Sequence, residues 1–268
     1  MIDRRENVEE FVRLTWGKKD HVVTLTLNRP NAANAMSISL LDQLNHCLTK
    51  IKQQPNARCL IITGSGHKAF SAGADLKERK TMTEDEVIQT VQYIGQTVNN
   101  VEKMPIPVIA AINGAAFGGG LELALACDLR IASEQVKLGL TETSLAIIPG
   151  AGGTQRLPRL IGVGRAKQLI YTSAKITANE AMQSGLVEEA VDKEQLMQTA
   201  IEIANQIAEN GPIAVKQAKK AINLGLETDI ATGMELEHIC YKETIHTADR
   251  QEGLKAFSEK RKPVYKGK

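Results

Sequence analysis

The sequence has no apolar run long enough to cross a membrane, since a bilayer-spanning helix needs about 18 or more consecutive apolar residues. It opens with the charged segment MIDRRENVEE, which lacks the apolar core of a secretory signal peptide. We therefore expect a soluble protein that resides in the cytoplasm and has no membrane partner.

A large excess of one charge is also missing. The chain has 33 Lys and Arg residues against 31 Asp and Glu residues, for a formal net charge of +2. Global electrostatic attraction to nucleic acid or to an anionic membrane is therefore excluded. With 268 residues, 43% hydrophobic and 24% charged, the chain has an ordinary globular composition. This length fits one large domain or a domain with an appendage.

Cysteine pairs with metal-binding or redox spacing are absent. Cys47, Cys59, Cys127 and Cys240 lie in apolar or helical patterns, and no CxxC spacing occurs. We interpret these cysteines as reduced packing residues of a cytosolic protein, and we expect no metal site.

Complete nucleotide-binding glycine motifs are missing as well. The glycine-rich runs 118–120 and 150–153 are not followed by Gly-Lys-Ser/Thr, which excludes a P-loop. The segment 162–164 matches only a fragment of a dinucleotide fingerprint and does not follow a strand pattern.

The stretch 105–128 instead organises the chain. Its part 107–112 is a short apolar run with β-branched residues, which predicts a buried strand. The glycine triplet 118–120 then precedes a run rich in Ala and Leu, which favours a helix. The first N–H groups of a helix lack internal partners, so an anion or a developing oxyanion can approach them where no Cβ intervenes.

Glu122 stands within this apolar run, with no Lys or Arg before Arg130. An unpaired buried carboxylate costs several kcal/mol or takes up a proton. Glu122 follows Gly119 by three residues, so both lie on nearly the same helix face. This spacing indicates a carboxyl group beside an oxyanion-binding N–H. The alternative is that the glycines serve close packing and that Glu122 reaches solvent or a buried arginine.

Strand and helix patterns alternate up to about residue 191, and only helical patterns follow. Apolar spacing with the caps Ser37 and Thr83 predicts early helices over 37–52 and 84–103. We predict a boundary near residue 205, with a catalytic domain over 1–205 and a helical oligomerisation region over 206–268. Further strands are predicted over 21–27, 59–63, 128–132, 136–140 and 186–191, and further helices over 155–160, 165–171, 178–184, 195–209, 213–226, 230–247 and 251–260.

Three motifs taken together resemble the crotonase (enoyl-CoA hydratase/isomerase) superfamily: FSAGADL at 70–76, the stretch from Asn113-Gly114 to Gly118–Glu122, and PGAGGTQRL at 149–157. The runs AGADLKER at 72–79 and AIIPG at 146–150 are most similar to its methylglutaconyl-CoA hydratase and AU-rich RNA-binding group. The resemblance implies an α/β fold, a spiral of stacked ββα units followed by a C-terminal helical trimerisation region. It also implies a trimer or a dimer of trimers.

The resemblance further implies an enoyl-CoA hydratase. The thioester oxygen would lie between the N–H groups of Ala74 and Gly119, and Glu122 and Glu142 would share the acid and base roles. Both glutamates are present, whereas isomerases and thioesterases of the superfamily often lack one. The coenzyme A is part of the substrate, so no separate cofactor is expected. The pathway would be fatty-acid β-oxidation or leucine breakdown.

The coenzyme A of such a substrate would follow the loop after the Ala-Gly-Ala-Asp turn, with Lys77 meeting a phosphate. Phe257 and Lys260 match positions that reach the coenzyme A from a neighbouring subunit. The full set of implied contacts is Ala72, Asp75, Leu76, Lys77, Gly118, Phe257 and Lys260.

Two departures bear on the alternatives. Thr141 stands where short-chain hydratases commonly carry proline, and it leaves the acyl specificity open. The segment 37–52 carries only Lys50 and Lys52, whereas RNA binding in the group has been tied to a lysine-rich early helix. No nucleic-acid partner is therefore expected. The alternatives are a methylglutaconyl-CoA hydratase, an isomerase or thioesterase on the same scaffold, and an RNA-binding protein.

Overall fold

A computed structural model describes residues 9–268, which form two β-sheets surrounded by helices. Most of the charged opening segment used above lies outside these residues. In both sheets all neighbouring strands are parallel except β1 with β2 and β8 with β9. The larger sheet contains, in spatial order, β1 (Val12–Trp16), β2 (Val22–Leu27), β3 (Cys59–Gly64), β5 (Val108–Ile112), β7 (Leu129–Ser133) and β10 (Glu189–Val191), and the smaller sheet contains β4 (Ala69–Ser71), β6 (Ala115–Phe117), β8 (Lys137–Gly139) and β9 (Ile176–Thr177).

Consecutive strands alternate between the two sheets. Strands β3, β5 and β7 belong to the larger sheet, and each is followed by a strand of the smaller sheet before the chain turns into a helix or helical turn. This repeat of two strands and a helix confirms the expected α/β spiral. The helices are α1 (Ile38–Lys52), α2 (Leu76–Arg79), α3 (Glu84–Glu102), α4 (Gly119–Leu125), α5 (Gly153–Ile161), α6 (Val163–Tyr171), α7 (Ala178–Gln183), α8 (Leu196–Ala208), α9 (Pro212–Gly225), α10 (Ile230–Ile245) and α11 (Ala248–Ser258).

The larger sheet is buried on both faces, which explains its nearly continuous apolar strands. Alternate residues of β3 show the division: Leu60 and Ile62 face the main core, whereas Cys59 and Ile61 face a second core under α8. Small residues let α8 lie close to the sheet. Its buried positions, four residues apart, are Leu196, Ala200, Ala204 and Ala208.

The two early helices begin where the capping residues predict. The Ser37 hydroxyl accepts a hydrogen bond from the Leu40 N–H at 3.3 Å, at the start of α1. Thr83 and Glu86 form a reciprocal capping box at the start of α3. Capping side chains satisfy N–H groups that have no partner within the helix, so they fix its first residue.

Strands β1, β4, β6 and β9 were not predicted. Three of them have three residues or fewer, which is too short for an alternating pattern to be recognised. The predicted Ala-Gly-Ala-Asp turn at 72–75 follows the short strand β4 and leads into the four-residue helix α2.

Beyond β10, the described chain contains only helices, as predicted. Residue 205 lies inside α8, which packs on the larger sheet, and the exact domain boundary stays a prediction. Lys219 of α9 ties the C-terminal helices to the core, since its Nζ lies 2.7 Å from Asp128 Oδ2 and 3.1 Å from the Ile106 carbonyl oxygen. Within residues 9–268, no helix combines the length and apolarity needed to cross a membrane.

Candidate active site

Three glycines lie where β6 passes into α4, and either the backbone conformation or a close neighbour disfavours a Cβ at each. Gly118 has a positive φ of 52°, a conformation that residues with a Cβ rarely adopt. A Cβ on Gly119 would lie 2.6 Å from Met36 Cε, and one on Gly120 would lie 2.0 Å from the Ser71 carbonyl oxygen. The glycines therefore serve close packing, and they also bring the first turn of α4 against the loop after β4.

Ala74 lies in that loop and forms an isolated parallel bridge with Met36. The Met36 N–H donates to the Gly73 carbonyl oxygen at 2.8 Å, and the Asp75 N–H donates to the Met36 carbonyl oxygen at 3.3 Å. In a parallel ladder, the residue between two bonded neighbours directs its own N–H to the opposite side. The N–H of Ala74 therefore points away from Met36.

The amides of Ala74 and Gly119 lie close together. A Cβ built on Gly119 would be 3.7 Å from the Ala74 nitrogen, and one on Gly73 would be 2.9 Å from the Gly119 nitrogen. Within residues 9–268, neither N–H donates to a protein acceptor. Two neighbouring N–H donors without partners can bind one negatively charged oxygen.

Asp75 fixes the loop that carries Ala74. One carboxylate oxygen caps α2 by accepting from the N–H of Lys77 at 3.0 Å and of Glu78 at 3.3 Å. The other oxygen lies 2.9 Å from Nη1 of Arg29. Burial alone would raise the pKa of Asp75, but Arg29 and the two amides outweigh burial and lower it. Asp75 is therefore ionised and committed to holding the loop.

Glu122 lies one turn into α4 and is 2% exposed. Its Oε1 accepts hydrogen bonds from the N–H groups of Ala151 and Gly153, both at 2.7 Å. Burial raises the pKa of Glu122, while these amides and the charge of Arg156 oppose the rise. Glu122 reaches neither solvent nor a direct arginine partner, so the alternative interpretation of this residue is wrong.

Glu142 begins a short 3-10 turn, Glu142–Leu145, which follows β8. A Cβ on Gly118 would lie 3.0 Å from Glu142 Oε1, which places this carboxyl group over the glycine turn. Glu142 Oε2 is buried and has no hydrogen-bond partner among the described residues. Burial, with a further contribution from the charge of Glu122, raises the pKa of Glu142 to about 7. Glu142 is therefore a half-buried carboxyl group that faces the glycine turn.

Family comparison agrees with this geometry. Residues 17–268 match the model of the family described as enoyl-CoA hydratase/isomerase. The chain belongs to this family. The match covers nearly all of the described residues, so the resemblance found in three short motifs is confirmed for the whole fold.

Relatives within the enoyl-CoA hydratase/isomerase family cover the chain almost completely. The crystal structure of an enoyl-CoA hydratase from Bacillus anthracis is 56% identical, with a TM-score of 0.95, and the match covers 97% of this chain and 100% of that one. YngF of Bacillus subtilis, described at the level of enoyl-CoA hydratase/isomerase, is 59% identical over 250 residues, or 93% of this chain and 96% of YngF. The mitochondrial methylglutaconyl-CoA hydratase of mouse is 46% identical over 250 residues, or 92% of this chain and 80% of that protein.

The expected coenzyme A contacts of this family member fall into two groups. Ala72, Leu76 and Lys77 are exposed beside the loop that carries Ala74, where a ligand can reach them. Phe257 is 87% exposed near the end of α11, and Lys260 is exposed just beyond that helix. Within the described chain, neither contacts the glutamates or the glycine turn, so their contribution to a site requires a second subunit.

Sequence reasoning missed the residues that support the two glutamates and the two amides. Met36 and Gly73 orient Ala74, whereas the amides of Ala151 and Gly153 hold Glu122. The glycine-rich run 150–153 was recognised as part of a motif, but a single sequence gives no sign that it faces Glu122. Arg156 belongs to the same motif, at 149–157, but the sequence gave no indication of its role.

Proposed function

We propose that the protein is an enoyl-CoA hydratase, which adds water across the 2,3 double bond of an enoyl-CoA thioester. One observation carries this proposal: two carboxyl groups in unlike surroundings lie beside two adjacent N–H groups that have no acceptor in the described chain. Addition of water to such a thioester requires stabilisation of an oxyanion together with a base and an acid.

In this proposal the amides of Ala74 and Gly119 bind the thioester oxygen. Attack on Cβ pushes electron density through the conjugated system onto that oxygen, as in an enolate. Fixed N–H dipoles stabilise the developing charge without having to reorganise, and each such donor contributes roughly 3–4 kcal/mol in comparable sites. The glycines at 118–120 allow the substrate carbonyl to approach closely.

Glu122 acts as the base. Two N–H donors stabilise its ionised form despite its burial, and both bonds fall on Oε1, so Oε2 can receive a proton. Glu122 Oε2 takes a proton from water as the water oxygen bonds to Cβ.

Glu142 acts as the acid. A pKa of about 7 leaves a large share of this carboxyl group protonated at neutral pH. Its proton passes to Cα as the enolate collapses, which gives a 3-hydroxyacyl thioester. Return of the proton from Glu122 to Glu142 through solvent restores the starting state, so atoms and charges balance without any cofactor besides the coenzyme A of the substrate.

Substitution of each glutamate tests this proposal. Glu122→Gln and Glu142→Gln should each lower the kcat/KM for hydration of crotonyl-CoA by about 10²- to 10⁴-fold, because each removes one proton-transfer step. Glu134→Gln is the matched control, because this exposed glutamate lies outside the site. Mass analysis should show the gain of one water without free coenzyme A. An unchanged rate in both variants, or release of free coenzyme A, would refute the proposal.

A methylglutaconyl-CoA substrate is the second candidate, and the 46% identity to the mouse methylglutaconyl-CoA hydratase supports it. The site chemistry is the same for both substrates, so the two candidates differ only in the acyl pocket. Comparison of kcat/KM for crotonyl-CoA and 3-methylglutaconyl-CoA discriminates between them. A value at least tenfold higher for the branched substrate would favour leucine breakdown, and the reverse would favour a short-chain hydratase.

A further inference from the structure

Arg156 lies on the first turns of α5, behind the loop that holds Glu122, and its side chain is 15% exposed. Its Nε and Nη2 bind the two carboxylate oxygens of Glu102 at 2.9 and 2.7 Å. Nη2 also donates to Asn99 Oδ1 at 2.7 Å. A bidentate ion pair fixes the plane of the guanidinium group, so α3 determines where its remaining nitrogen points.

That remaining nitrogen, Nη1, donates to the carbonyl oxygen of Ala151 at 3.0 Å. The N–H of the same residue donates to Glu122 Oε1 at 2.7 Å. Ala151 therefore links the guanidinium group to the carboxylate through its own main chain. A Cβ on Gly152 would lie 2.1 Å from Arg156 Nη1, so the guanidinium group is pressed against this loop.

We propose that Arg156 is a positioning residue: it binds the carbonyl oxygen of Ala151 and so fixes the loop whose amides hold the Glu122 carboxylate in its reactive orientation. This inference rests on the proposed hydratase function. Arg156 acts on the reaction only through the loop and through its charge, because no direct hydrogen bond joins it to Glu122 in the described chain.

The charges around Glu122 are few, so the contribution of Arg156 can be measured. Arg156 of α5 lowers the pKa of Glu122, and Glu142 is the other charged group coupled to it. From α3, Glu102 lies behind Arg156 and is paired with it. Strands β4 and β6 present no charged residue to α4. Removal of the Arg156 charge should therefore keep Glu122 protonated to a higher pH.

The test compares the pH profiles of kcat/KM for crotonyl-CoA in Arg156→Met and Glu102→Gln. Both variants break the same ion pair, but only the first removes the cation and the bond to Ala151. We expect Arg156→Met to lower kcat/KM by about 10- to 100-fold at pH 7. We also expect it to move to higher pH the acid limb of the profile, which is the decline of kcat/KM at low pH caused by protonation of Glu122. Glu102→Gln should leave the acid limb in place or move it to lower pH, because the cation remains.

Arg159→Met is the matched control, since Arg159 lies one turn along α5, is 57% exposed and points to Glu227 instead. Its profile should equal that of the unmodified enzyme. Arg156→Lys separates charge from position: it should keep the acid limb in place and still lower kcat by about tenfold or more.

The inference is overturned if folded Arg156→Met retains kcat/KM within twofold, or if it and Glu102→Gln shift the acid limb equally, which would indicate a purely structural ion pair. If Arg156→Met does not fold, full activity of Arg156→Lys overturns it. Absence of hydration by the unmodified protein would instead refute the proposed function, so the two failures are distinguishable.

Discussion

Glu142 carries the most strongly perturbed carboxyl group of the site. A carboxylate that loses water on burial is destabilised relative to its neutral form, and a second carboxylate nearby adds to this effect. Both causes act on Glu142, which explains a pKa of about 7. The two glutamates thus differ in their surroundings because Glu122 has amide donors and Glu142 Oε2 has none among the described residues.

This shift predicts a pH-dependent cost in stability. The pKa of Glu142 in the folded chain lies above the ordinary value of 4.5, so between these two values the folded chain holds a proton that the unfolded chain has lost. The free energy of unfolding must therefore fall as pH rises through this window. Glu142→Gln removes the dependence, so its Tm should exceed that of the unmodified protein at pH 8 and match it near pH 4.

The Tm difference should be about 2–4 °C at pH 8, which corresponds to about 1 kcal/mol after allowance for solvent screening. Thermal unfolding of both proteins across pH 4–8 measures it. A constant difference at every pH would contradict the raised pKa.

The turn from β6 into α4 is the element that joins the two halves of the site. It carries Gly118 under Glu142 and brings Gly119 close to the loop of Ala74. The N–H of Gly118 donates to the Gly139 carbonyl oxygen at 2.9 Å, so β8 and the turn are held together. A short, rigid turn of this kind positions reacting groups more accurately than a long loop.

Gly118→Ala tests this turn. The new Cβ would lie 3.0 Å from Glu142 Oε1, at a positive φ that costs about 1 kcal/mol or more for alanine. We expect kcat/KM for crotonyl-CoA to fall about 10²-fold and Tm to decrease. Gly164→Ala in α6 is the matched control, because its Cβ would meet nothing within 4 Å. That change should leave activity intact, and equal activity losses in the two variants would contradict the role of the turn.

Helices with strong periodicity and a cap could be predicted from the sequence, since α1 and α3 begin directly after the caps Ser37 and Thr83 as expected. Strands β4 and β6 could not, because three residues with no alternation give no pattern. These two short strands carry the chain directly into the loop of Ala74 and the turn of Gly118. The sequence therefore predicted the flanking motifs but not the sheet that brings them together.

At the scale of the whole molecule, the C-terminal helices expose several large apolar side chains, a feature typical of an interaction surface when such side chains cluster. Leu226 directly follows α9, while Ile230 and Met234 lie one turn apart at the start of α10, and the three are 75, 82 and 64% exposed. Gly225 and Gly233 bring α9 and α10 into close contact, with the Cα of each less than 4 Å from a Cβ built on the other. We propose that this face packs against further copies of the chain.

Because the family resemblance implies a trimer or a dimer of trimers, we expect a mass in solution of three or six times the chain mass of 29.2 kDa. The double change Ile230→Glu and Met234→Glu places charges in the apolar face, so it should yield smaller species in light scattering. Activity should fall together with the mass, because Phe257 and Lys260 would no longer reach a neighbouring subunit. A monomeric unmodified protein, or a double variant of unchanged mass, would contradict this prediction.

The sequence by itself indicated the family, through three motifs that resemble it, and it predicted the α/β class and the candidate site residues. The glycine triplet at 118–120 and the single acidic residue in the apolar run after it stand out in the sequence, whatever the fold of the chain. Only the tertiary structure decided the partners of those residues. The amides that hold Glu122 lie 29 and 31 residues away from it in the chain, and Arg29 pairs with Asp75 across 46 residues, so the local sequence pattern gives no sign of either contact.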